Sequence, residues 1–103
     1  GGMMMAGLRL EVPPEELRTM LRIRHDRLDQ ELLQLKAAYL SDIAMCGVQK
    51  MPDNPAQAKA CLRLYLRWQE NYNGEAERYG RAYERMKIAM SLAEEYREVG
   101  NAE

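Results

Sequence analysis

From Leu17 onward, one row of side chains recurs at steps of three and four: Leu17, Leu21, His25, Leu28, Leu32, Leu35, Tyr39 and Ile43. Apart from the histidine the row is apolar, and its spacing is that of a helix. The pattern predicts a first helix over residues 13–45. It opens at Pro13-Pro14-Glu15-Glu16, where proline suits the first helical position and carboxylates suit the positive end of the helix dipole. Leu33, Ala37, Leu40 and Ala44 add a second row. The apolar face therefore widens toward the C-terminal end, with room there for two neighbouring helices. Gly47 is a suitable stop.

A second helical pattern begins at Asn54-Pro55, a good cap followed by a good first residue. Its stripe runs Ala58, Cys61, Tyr65, Trp68, Tyr72, Ala76, Tyr79, Tyr83, Met86, Met90 and Ala93. The mean step is close to that of a coiled-coil seam. This predicts a second arm over 55–99, joined to the first by a turn at 46–54. Asn73-Gly74 interrupts it with a strong turn signal, and Gly80 follows. The stripe keeps its phase across the interruption, which favours a continuous or kinked helix. Length argues the other way. At 1.5 Å per residue the first arm spans roughly 50 Å and an unbroken second arm roughly 65 Å. The second arm must overhang toward another molecule or bend near Asn73-Gly74 into a third helix.

The expected fold is therefore all-α, an antiparallel helical hairpin in one domain spanning 1–103. Residues 1–12 form a flexible or extended arm in which Leu8, Leu10 and Val12 alternate with Arg9 and Glu11. Composition agrees. Leu, Ala, Met, Glu, Arg and Gln dominate, while Val occurs three times and Phe not at all, leaving little material for strands. Two-helix hairpins bury little surface per residue and often dimerise to cover an apolar face.

Charge narrows the partners. The chain of 103 residues carries a net charge of −1, with seven basic and seven acidic side chains in 1–52 and eight and nine in 53–103. A nucleic-acid binder shows a basic surplus or stripe, so nucleic acid is not expected. The tyrosine and tryptophan row reads as packing rather than base stacking. Arg18 and Arg22, with Asp26 and Asp29 nearby, read as a solvated helix face. No stretch approaches the roughly 20 apolar residues of a membrane span. Gly1-Gly2 reads as a cloning remnant, and Met3 to Gly7 lack the features of a signal peptide.

Candidate chemistry is sparse. Two cysteines, Cys46 and Cys61, and one histidine, His25, are too few for a Cys/His zinc site. The cysteines are expected as free thiols, although one at the turn and one just after it are near enough in sequence to pair. His25 and Asp29 lack a linked nucleophile, and a packed or boundary histidine is expected. There is no Gly-rich phosphate loop and no Glu-x-x-His pattern. The expectation is a protein without catalytic residues, cofactor or metal.

The parts together resemble the Trp-x-Gly helical-hairpin family of small proteins exported by type VII (ESX) secretion systems. Leu10-Glu11-Val12-Pro13-Pro14-Glu15-Glu16-Leu17 is similar to that family's short arm leading into a Pro-Glu-Glu-Leu helix. Met45, Cys46 and Gly47 stand where the family has Trp-x-Gly, and Leu92-Ala93-Glu94-Glu95-Tyr96 is similar to its C-terminal ending. Met45 replaces the tryptophan. The family's export signal has an acid four residues after the tyrosine; here that position is Gly100, with Glu98 nearby but out of register. The resemblance implies a delivery protein, or an adaptor that pairs with the helical N-terminus of a larger toxin. It is made in the cytoplasm and exported, if at all, without a cleaved signal peptide.

On this reading Tyr96 and Glu98 form the export signal. Leu33, Leu35, Tyr39, Leu40, Ile43, Tyr65, Trp68, Tyr72, Tyr79 and Tyr83 form the bundle core or the interface with a protein partner, in a homodimer or a heterodimer. The alternative is a cytosolic helical-bundle regulator or scaffold with no export role.

Overall fold

A computed structural model describes residues 7–98. The start of the expected N-terminal arm (1–6) and the end of the second arm beyond residue 98 lie outside the described residues. The fold is all-α, with no strand among the described residues. The helices are α1 (Pro14–Met20), α2 (Asp29–Cys46), α3 (Ala56–Gln69) and α4 (Ala76–Leu92). Single 3₁₀ turns follow α3 and α4, at Tyr72–Gly74 and Glu94–Tyr96.

Successive helices run antiparallel. Lys36 on α2 donates to the Leu10 carbonyl before α1, while Arg18 near the end of α1 holds Asp29 at the start of α2. Tyr39 late in α2 meets Ala58 early in α3. Tyr65 and Trp68 on α3 pack against Tyr83 on α4, and Tyr72 packs against Tyr79. The core between them holds Leu17, Leu32, Tyr39, Ile43, Cys61, Leu62, Leu66, Tyr83, Met90 and Tyr96, all buried. Before α1, Leu10 and Val12 are buried while Arg9 and Glu11 are exposed.

The helix expected over 13–45 is divided: residues 21–28 are not helical. Arg22 adopts a left-handed φ of 58°. Its N–H bonds to the Thr19 carbonyl and that of Ile23 to the Arg18 carbonyl, the paired closure of a Schellman motif. The break lets the Arg18 guanidinium grip Asp29 with two bonds of 2.8 Å. On an unbroken helix those residues would sit about 16 Å apart along the axis. Arg18 and Arg22, one turn apart, would also repel. The same closure ends α2, where Gly47 at φ 122° precedes Val48 N–H bonded to the Ile43 carbonyl. Glycine adopts this conformation freely, whereas at Arg22 it costs about 1 kcal/mol or more.

The second arm bends into a further helix rather than continuing. Asn71 (φ 52°), Asn73 (φ 55°) and Gly74 (φ 69°) are all left-handed, and Asn71 Oδ1 accepts the Ala76 N–H at 3.2 Å, within the first turn of α4. The overhang implied by a long arm is thus removed; the described residues extend only 48 Å along their longest axis. Helix α3 begins one residue later than the sequence suggests, with Pro55 rather than Asn54 at the cap and no side-chain bond there. Gly80 faces Trp68: a Cβ added to it would lie 2.9 Å from the indole Nε1. The glycine lets the indole lie on the backbone of α4.

Gly80→Ala therefore tests the α3–α4 contact. Alanine favours helix by about 1 kcal/mol over glycine, but overpacking against a fixed ring costs about 1–3 kcal/mol. The expected outcome is a net loss of stability in urea denaturation; a gain would show that the indole yields freely.

Candidate functional site

One polar group of the interior is built around Ala58, in the first turn of α3. First-turn amides of a helix have no partner within it. Here the Tyr96 hydroxyl accepts the Ala58 N–H at 3.1 Å, and the Tyr39 hydroxyl donates to the Ala58 carbonyl at 2.7 Å. One peptide unit thus joins α2, α3 and the C-terminal turn. Cys61 lies beside Tyr39, and burial pushes its thiol up to about 12, so it remains a protonated thiol at neutral pH. The Tyr39 hydroxyl is likewise held neutral, by burial first and by Cys61 second. Cys46 and Cys61 are both free thiols.

A second polar group lies between α2 and α4. Tyr83 donates to Asp42 Oδ2 at 2.5 Å, and the buried Lys87 reaches the same oxygen at 3.0 Å and Glu84 at 3.1 Å. Desolvation acts upward on Asp42, but the bonds from Tyr83 and Lys87 outweigh it and hold the carboxyl below its usual range. Lys87 shows the mirror case: desolvation lowers it, and its two carboxylates raise it further. The group ties buried Tyr83 and Lys87 to a half-exposed carboxylate. No buried side-chain polar atom among the described residues lacks a partner, and no set of three metal-ligating side chains converges there.

The residues expected to form the bundle core or a partner interface are taken up largely by packing within this chain. Tyr39, Ile43, Tyr65, Tyr79 and Tyr83 are buried, and Leu33, Leu35, Leu40, Trp68 and Tyr72 pack against the core from half-buried positions. The reason is the extra bend: α4 folds back over α3 and covers the seam that one long arm would have left open. Tyr65 sits 5.1 Å from Tyr83 and 5.8 Å from Tyr39, ring centre to ring centre. The two residues expected as an export signal differ in exposure. Tyr96 is buried, with its carbonyl accepting from Gln49 and Lys50, while Glu98 is exposed and its N–H bonds to the Gln49 side chain. His25 is exposed in the 21–28 loop, and Asp29 pairs with Arg18 instead.

Two surfaces remain, neither singled out by the helical stripes. On the first, Met45 is 84% exposed, Leu92 71% and Ile88 52%. Glu84, Ile88 and Leu92 follow one another at intervals of four along α4. Met45 of the Met45-Cys46-Gly47 turn shares with Glu84, Trp68 and Tyr65 a shallow groove of about 350 Å³. On the second, the 21–24 loop and α3 enclose a cleft of about 820 Å³. Arg22 and Arg24 line one wall and Lys59, Arg63 and Arg67 the other. The interval of four in Lys59, Arg63 and Arg67 is visible in the sequence. The opposite wall is formed by the chain leaving α1 after Met20. No helix among the described residues is long and apolar enough to cross a membrane.

Two substitutions test the interior. Tyr96→Phe leaves the Ala58 N–H buried without its partner, and stability in urea should fall by about 1–3 kcal/mol; an unchanged midpoint would show that the hydroxyl bond is dispensable. Glu70, which caps α3, has its carboxyl raised from 4.5 to about 7 by a hydrogen bond shared with Glu31, then by desolvation and by that neighbour's charge. The folded state therefore holds a proton that the unfolded state releases, and stability falls as pH rises through that window. Glu70→Gln should flatten this slope, raising the melting temperature at about pH 8 and leaving it nearly unchanged at about pH 4. Equal slopes for both proteins would remove the pair as the cause. No protein-family model, curated protein or solved structure matches this chain.

Proposed function

We propose that this chain is a non-enzymatic helical adaptor that binds a protein partner by helix packing, in the manner of the partner proteins of type VII secretion. The supporting observation is the exposure of Met45, Ile88 and Leu92 on α2 and α4. The remaining large apolar side chains among the described residues are buried or half-buried. Met45 and Glu84 line the shallow groove, and Ile88 and Leu92 continue from Glu84 along α4; long apolar side chains left open in this way suit an amphipathic helix of a partner. The polar groups of the interior are bonded to one another rather than aimed at a substrate, which supports a binding role over a catalytic one.

Delivery is the narrower part of the proposal. The arm into α1, the turn at Met45-Cys46-Gly47 and the ending at Tyr96 supply the resemblance that motivates it. A buried Tyr96 is not a ready tag, so the adaptor role comes first and export follows the partner. Synthesis in the cytoplasm and passage without a cleaved signal peptide fit that order. A cytosolic scaffold remains the alternative, favoured by the same burial of Tyr96.

Co-expression with the proteins encoded beside it provides the test. A helical secreted neighbour should co-purify with the native chain, and Met45→Glu combined with Ile88→Glu should abolish the complex without lowering the melting temperature. Co-purification that survives both substitutions would remove these exposed apolar side chains from the interface. Recovery of an enzyme or DNA-binding protein instead would favour the scaffold.

A further inference from the structure

The cleft between the 21–24 loop and α3 concentrates charge in a chain whose sequence is balanced. Five cationic side chains line it against one carboxylate, Glu16. Glu16 is paired with Lys59 at 3.3 Å. Arg67 is anchored: its Nε donates to the Met20 carbonyl at 2.9 Å, and its guanidinium lies 4.2 Å from the Tyr72 ring centre. Arg22, Arg24 and Arg63 are exposed and have no ion pair among the described residues.

A second observation concerns the backbone. The closures of α1 and α2 are equivalent, yet Gly47 fills the left-handed position in one and Arg22 in the other. Glycine is the residue that this position favours. An arginine there accepts strain, and this one lines the cleft, a use of strain typical of binding sites.

We propose that this cleft docks an acidic segment of a protein partner. Ala56 and Ala60 lie among the cleft-lining residues of α3, and small side chains let a second backbone approach closely. Lys59, Arg63 and Arg67 follow at steps of about 6 Å along the helix axis, which matches carboxylates one turn apart on an acidic helix. Arginine forks take carboxylates with two parallel bonds. A long nucleic acid fits poorly. With a net charge of −1 overall, the surface outside this cleft is net acidic and would repel a polyanion that ran beyond it. The cleft shares no lining residue with the groove beside Met45, so the two proposals fail independently.

Fluorescence anisotropy tests it, using a labelled helical peptide of about twelve residues with glutamates one turn apart. The comparisons are the same peptide with glutamine at those positions and a single-stranded oligodeoxynucleotide of equal length. The native chain should bind the glutamate peptide, with affinity falling as salt rises from about 0.05 to 0.5 M. The glutamine peptide should bind about tenfold more weakly or less. Arg63→Glu should reduce binding by about tenfold or more. Arg22→Gly should also weaken binding while leaving the melting temperature unchanged or higher, because it relieves the strained position; a merely structural arginine would lower it. Glu16→Gln should strengthen binding by freeing Lys59. The proposal is overturned if the glutamate peptide does not bind at about 1 mM, if Arg22→Gly and Arg63→Glu bind like the native chain, or if the oligonucleotide binds more tightly. It is equally overturned if sedimentation shows self-association that Arg63→Glu abolishes, which would assign the cleft to a second copy of this chain.

Discussion

The peptide unit of Ala58 holds this fold together in a way no other single contact does. Its carbonyl and its amide are claimed by two tyrosines that are distant in sequence, Tyr39 and Tyr96. The N-terminus of α3 has no side-chain cap of its own; the Tyr96 hydroxyl supplies the missing acceptor from the far end of the domain. Placing both hydroxyls in the interior is tolerable because each has a bonded partner, and a buried polar group without one is costly. Once Tyr96 is seated, its backbone carbonyl binds the amides of Gln49 and Lys50. The turn after α2, the start of α3 and the segment after α4 are thereby fixed together.

The remaining contacts extend this arrangement. Tyr83, packed against Tyr39 and Tyr65, carries the aromatic contact from α2 and α3 to α4, and its hydroxyl meets Asp42 and, through it, Lys87. Gly80 allows Trp68 to close the α3–α4 seam. A tyrosine-rich core needs such pairings, since a ring that buries its hydroxyl needs a partner for it. That design commits most of the surface of these tyrosines to contacts within the chain. What stays outside, the open apolar side chains on α2 and α4 and the cationic cleft beside α1, is where the proposed partners would dock.

Much of the framework was legible in the sequence. The period of the stripes identified the helices, Gly47 marked the end of α2, and Asn73-Gly74 marked a place where the second arm could bend. Whether it bent was not legible, because a stripe that keeps phase is compatible with both outcomes. The break at 21–28 left no glycine or proline as a sign. It follows from the Arg18–Asp29 fork and the closure at Arg22, both decided by tertiary geometry, and it displaced His25 from the apolar row. Less of the candidate sites than of the fold was legible. A stripe of tyrosines reads alike as core or interface, and only the return of α4 decides which. Tyr96 belonged to a plausible tail motif, yet its hydroxyl bond spans 38 residues of sequence, a separation at which local patterns carry no information. The cationic cleft was half visible as a row on α3, and its other wall appears only when α1 ends early.

The central claim is that Tyr96 is a structural clasp on Ala58 rather than an exposed signal. Native-state hydrogen exchange of the Ala58 amide tests this most directly. An amide in the first turn of a helix ordinarily exchanges through local fraying, whereas opening of a clasped amide requires the wider fold to open. The account predicts that Ala58 exchanges as slowly as the mid-helix amides of Tyr65 and Leu66. Exchange as fast as at the exposed neighbour Ala56 would contradict it.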